Sequence, residues 1–69
     1  MDRNERLTLA QAAMERAAGL ARDAEDAARS THFRDKAEPF AAASAAWAEV
    51  ARSHAALAAV LPETEPTDA

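Results

Sequence analysis

The chain has no cysteine and no tyrosine, one glycine, and three aromatic residues, Phe33, Phe40 and Trp47. Without cysteine there is no disulfide, no thiolate metal site and no cysteine nucleophile. No apolar run approaches the roughly 18–20 residues that a membrane span requires. The opening stretch Met1-Asp2-Arg3-Asn4-Glu5-Arg6 lacks the apolar core of a secretory signal, so the expected location is the cytoplasm. Concentrated positive charge is missing as well. Eight basic residues face twelve acidic ones, a net charge of −4, and the cations are interleaved with the acids. Nucleic-acid modules draw most of their affinity from a basic surface, and anionic membranes ask for the same. Neither partner is expected.

Large hydrophobic side chains are also scarce. Hydrophobic residues make up 49% of the 69, but 22 residues are alanine. The larger ones are Met1, Leu7, Leu9, Met14, Leu20, Phe33, Phe40, Trp47, Val50, Leu57, Val60 and Leu61. A chain of this size rarely gains more than ~3–5 kcal/mol from a single core. This one has little to bury and no covalent staple.

What the chain does have is helical periodicity, in two segments, with no strand-like alternation anywhere. The first helix is expected over residues 3–31. With Leu7 at heptad position a, the a column reads Leu7, Met14, Ala21, Ala28, the d column Ala10, Ala17, Ala24, Thr31, and the g column adds Ala13, Leu20, Ala27. That stripe is three columns wide, broader than a two-helix seam needs. Asp2 and Glu5 stand at capping-box spacing and mark the start. Leu9 and Gly19 break the pattern. Along Arg22–Arg29, i,i+4 spacing pairs Arg22 with Asp26 and Glu25 with Arg29.

The second helix is expected over residues 39–61. Steps of three and four from Phe40 give Phe40, Ala43, Trp47, Val50, His54, Leu57 and Leu61, with His54 the one polar member. Pro39 suits the first helical position and pushes Glu38 out of helical geometry, and Pro62 stops the helix. Alanine fills most outer positions, with Glu49 and Arg52 among them. The loop 32–38 is short enough to force the helices antiparallel, and Phe33 should fold back towards Phe40. Residues 62–69 are proline-rich and acidic and are expected to form a disordered tail.

The fold expected is therefore all-α: residues 1–61 form an antiparallel two-helix hairpin, and two hairpins dimerise into a four-helix bundle. The dimer follows from apolar columns that one hairpin cannot cover. The residues expected at the interface are Leu7, Met14, Leu20, Phe40, Trp47, Val50, His54, Leu57 and Leu61. Trp47 is the natural anchor. His54 sits where a hydrophobe belongs, as register-setting polar residues do, and meeting its symmetry mate or an arginine would make it pH-sensitive.

Chemistry is thinly represented. His32, Asp35 and Glu38 are metal-competent groups three residues apart, with Asp23, Glu25 and Asp26 nearby. Neither histidine has a glutamate three residues before it, so the di-iron bundle pattern is absent, and the loop groups read as solvated turn residues. There is no Gly-rich phosphate loop and no assembled nucleophile, base and acid. No enzyme activity, metal or cofactor is expected.

The helix Trp47-x-x-Val50-Ala51-x-x-His54-x-x-Leu57, in a short chain rich in alanine and arginine, resembles small helical-hairpin proteins of high-GC actinobacteria, their plasmids and their phages. That likeness implies a hairpin fold and no particular activity. Trp47, Val50, Ala51 and His54 also resemble the first helix of a tetratricopeptide repeat. Pro62 stands where the second helix of that repeat would begin, and no 34-residue copy precedes it. The sequence reads as a non-catalytic helical interaction and oligomerisation module, a homodimer that docks a larger protein through the alanine-rich face of its second helix. The alternative is a small phage- or plasmid-type regulator that occludes one protein partner.

Overall fold

The computed structural model describes residues 2–62. Two helices, α1 (Arg3–Arg29) and α2 (Ala37–Val60), are joined by Ser30–Phe33 and a single 3-10 turn at Arg34–Lys36. At 1.5 Å per residue they are about 40 and 36 Å long. They pack side by side along their length, and no strand occurs among the described residues. The chain is an all-α antiparallel hairpin. Met1 and residues 63–69, most of the expected tail, lie outside the described residues.

The helix ends follow from local chemistry. Asp2 adopts an extended conformation, and its Oδ1 accepts the Glu5 backbone N–H at 2.7 Å. That satisfies one of the donors a helix start leaves open. At the other end α1 stops two residues short of the expected Thr31. Ser30 turns to extended backbone, and its Oγ accepts the N–H groups of both His32 and Phe33 at 3.1 Å. The hydroxyl organises the turn in place of another helical step.

The second helix begins two residues before the expected Pro39. Pro39 occupies the third helical position, still within the first turn, where a missing N–H breaks no intrahelical bond. Glu38 is correspondingly helical, which corrects the expectation that proline would hold it extended. At the far end Leu61 is extended with φ −88° and ψ 146°, the geometry imposed by the following Pro62.

The seam is built mostly from alanine on α1 and from alternating large and small residues on α2. On α1 it comprises Ala10, Ala13, Ala17, Leu20, Ala24 and Ala27, the d and g columns. On α2 it comprises Phe40, Ser44, Trp47, Ala51, His54, Ala58 and Leu61. The larger side chains of α2, spaced seven apart, thus lie against alanines of α1. Three contacts fix the antiparallel register, running in opposite directions along the two helices: Arg6 with His54, Arg16 with Trp47, and Ala17 with Ser44.

Candidate interaction surface

Two columns that periodicity assigned to the apolar stripe stay outside the seam. On α1 the whole a column is exposed, with Leu7 at 41% and Met14 at 59%. On α2 Val50 and Leu57 give up their places to Ala51 and Ala58 and stay 39% and 44% exposed, whereas Ala43 remains half-buried beside Ser44. The reason is steric. Alanine and serine let the backbones approach, and Ser44 Oγ donates to the Ala17 carbonyl across the seam at 2.7 Å. A valine or leucine at that register would hold the helices apart.

The exposed columns fall on opposite faces. An open groove of about 440 Å³ is lined by Leu7, Ala10, Gln11, Met14 and Glu15 from α1 and Ala51, Arg52 and Ala55 from α2. Val50 and Leu57 lie on the other side of the α2 seam, with Leu9 beyond the corresponding edge of α1. Of the nine residues expected at the interface, Leu20, Phe40, Trp47, His54 and Leu61 are half-buried in the hairpin itself. Leu7 and Met14 share one face, and Val50 and Leu57 share the other.

Two cross-seam contacts involve arginines that the heptad pattern treats as merely polar. The Arg16 guanidinium carbon stands 5.0 Å from the centroid of the Trp47 ring, a cation–π contact covering the exposed side of the indole. Arg6 Nη1 lies 3.1 Å from His54 Nδ1. A guanidinium only donates, so Nδ1 accepts and the imidazole hydrogen sits on Nε2. Arg6 Nε is enclosed and has no hydrogen-bond partner. The signal for these contacts was present in the seven-residue spacing of His54 and Trp47. Pairing them with Arg6 and Arg16 required the register, which periodicity does not supply.

Surface charges behave more simply. Arg29 and Glu25 meet at 3.3 Å, and Arg52 pairs with Glu49, both on open surface where ion pairs contribute little. The expected Arg22–Asp26 pair does not form among the described residues, leaving both groups to solvent. At the turn, Asp23, Asp26, Ala27, Ser30, Phe33, Lys36 and Phe40 line a second recess of about 590 Å³. Phe33 reaches its rim but remains mostly exposed, edge-on to His32 with ring centroids 6.4 Å apart.

No group of three or more His, Asp or Glu side chains capable of holding a metal occurs among the described residues, so His32, Asp35 and Glu38 do not assemble. Nor is any described helix long and apolar enough to cross a membrane. The chain matches no protein-family model, no curated protein and no solved structure.

Proposed function

We propose that this protein is a non-catalytic helical interaction module that works as a self-associated assembly, in the simplest case a two-fold dimer of hairpins. One observation carries the reading: the buried hydrophobic residues of the hairpin are Ala13, Ala17, Ala27 and Ala58. Among the described residues no larger side chain is fully enclosed, while Leu7, Leu9, Met14, Val50, Leu57 and Val60 remain exposed. Burial of apolar area is the dominant favourable term in folding, at roughly 25 cal/mol per Å². Four alanines supply little of it, and ordering two long helices is costly. The bulk that would compensate is already in the sequence, on the outside, where a second surface can cover it.

Chemistry of other kinds has less support. The seam residues that carry polar atoms are used in holding the hairpin: Ser44 on a carbonyl, His54 on Arg6, and Arg16 over Trp47.

Sedimentation equilibrium, with helicity followed by circular dichroism over the same dilution series, tests the proposal. The expected result is a dimer that loses helix as it dissociates. A monomer that keeps full helicity at low micromolar concentration would overturn it. The search would then move to a different protein as the occupant of the exposed columns, including the partner of a small occluding regulator.

A further inference from the structure

We infer that the second copy docks antiparallel on the α1 column Leu7-Met14-Ala21-Ala28, with Glu15 of each copy facing Arg22 of the other. The inference rests on the self-association proposed above and names the surface and orientation through which it occurs.

Volume is the first argument. The column is bulky in its N-terminal half, with Leu7 and Met14, and reduced to alanine in its C-terminal half. All four residues are exposed. Parallel pairing would set leucine against leucine and alanine against alanine, crowding one end and leaving a gap at the other. Antiparallel pairing sets Leu7 against the partner's Ala28 and Met14 against the partner's Ala21, so every layer combines one large and one small side chain. Interiors require that kind of even filling.

Charge is the second argument, and it starts from the register that the volumes set. The flanking column reads Thr8, Glu15, Arg22, Arg29. Glu15 and Arg22 are exposed and have no ionic partner among the described residues. In a parallel two-fold pair this column lies on opposite sides of the seam in the two copies, so Glu15 and Arg22 gain no partner from it. In the antiparallel register set by the volumes, Glu15 comes beside the partner's Arg22, twice by symmetry. Opposite charges thus favour the antiparallel arrangement, and the parallel one forgoes that pairing.

The rest of the face agrees. Arg52 and Ala55 line the groove beside Leu7 and Met14, and the same columns of α2 carry Ala41, Ala45, Ala48 and Ala59, with Arg52 the one charge. Small residues there let a second hairpin approach closely. The opposite face is less suited, because the α1 column that flanks the seam on that side carries the charges of Arg16 and Asp23.

The natural absence of cysteine makes orientation directly measurable. Two-fold pairing of residue 7 with 28 and 14 with 21 puts the axis beside Ala18, which is exposed. Ala18→Cys should link to itself on mild oxidation. Met14→Cys should not, because its symmetry mate lies seven residues away along the axis, roughly 10 Å, beyond disulfide reach. Glu15→Arg and Arg22→Glu should each weaken the dimer about tenfold, and the two together should return it to within about twofold of the native constant.

Self-linking of the Met14→Cys chain, with none in the Ala18→Cys chain, would replace the antiparallel arrangement with a parallel one. A dimer by sedimentation with neither link and no response to the charge exchanges would place the interface on the Val50–Leu57 face, overturning this inference while leaving self-association intact. A native chain that is monomeric would overturn both.

Discussion

Arg6 and His54 form the contact whose energetics can be worked most directly from the structure. They meet at 3.1 Å in a partly buried site, and Arg6 Nε beside them already lacks a partner. A hydrogen bond to a charged group contributes about 1.5–3 kcal/mol net. Half exposure here places the value at the lower end. His54→Leu removes the acceptor and leaves two guanidinium nitrogens unsatisfied, a cost of about 1.5 kcal/mol that leucine burial offsets in part. Arg6→Leu leaves a histidine that water can reach, and costs less. The double variant removes both polar groups from this end of the seam and should return to native stability or exceed it. The coupling energy should therefore be about 1 kcal/mol or more. Urea denaturation followed by circular dichroism measures it, with all four proteins at one concentration because any association shifts the midpoint. Additive effects, with coupling below about 0.3 kcal/mol, would refute the reasoning and make the two residues independent.

Gly19 is helical, and beyond its chain neighbours and its own helix backbone no atom lies within 4 Å of a Cβ built on it, so Gly19→Ala should stabilise by about 0.5–1 kcal/mol, and a lower melting temperature would contradict the open space seen there. Trp47→Ala should cost ~2–3 kcal/mol rather than the ~3–5 of a fully enclosed ring, because the indole is half-buried under Arg16; an unchanged unfolding curve would remove the ring from the seam. Leu7→Gln with Met14→Gln should be nearly neutral for an isolated hairpin, where both side chains are exposed. In a dimer that buries them the pair should lower stability by ~2 kcal/mol or more per protomer and shift sedimentation towards monomer; a neutral result at every concentration would leave that column uncovered.

Much of the fold is legible in the sequence because helix, turn and antiparallel return are local decisions. Asp2 and Glu5 mark the start of α1, Pro62 marks the end of α2, and the connection is too short for any other arrangement. What periodicity does not resolve is rotation. On α1 three columns are apolar and a two-helix seam takes two, so the unused column is decided by packing. On α2 the larger residues at Val50 and Leu57 are the better hydrophobes, yet Ala51 and Ala58 take the seam because close approach outweighs the area those side chains would bury. The start of α2 is misplaced for a different reason. Proline is admissible anywhere in the first turn, so Pro39 limits the start of the helix to a window rather than a residue.

The rotation of both helices bears on what the surface is for. A hairpin that had to stand alone would do best to turn Leu7, Met14, Val50 and Leu57 inward and present its alanines to water, where they cost nothing. The arrangement found is different: Leu20, Phe40, Trp47 and Leu61 lie half-buried among alanines in the seam, while Leu7, Met14, Val50 and Leu57 stay outside, seven residues apart and on one side of each helix. Scattered apolar residues on a surface need no explanation. Two aligned columns do, because helical alignment is what a facing helix requires and solvent does not. The closely packed alanine seam also makes the hairpin a thin, straight unit, with the next seam displaced to its flanks. On that reasoning, single substitutions inside the seam, such as Ala58→Leu, disturb the hairpin itself, whereas substitutions in the outer columns act through association.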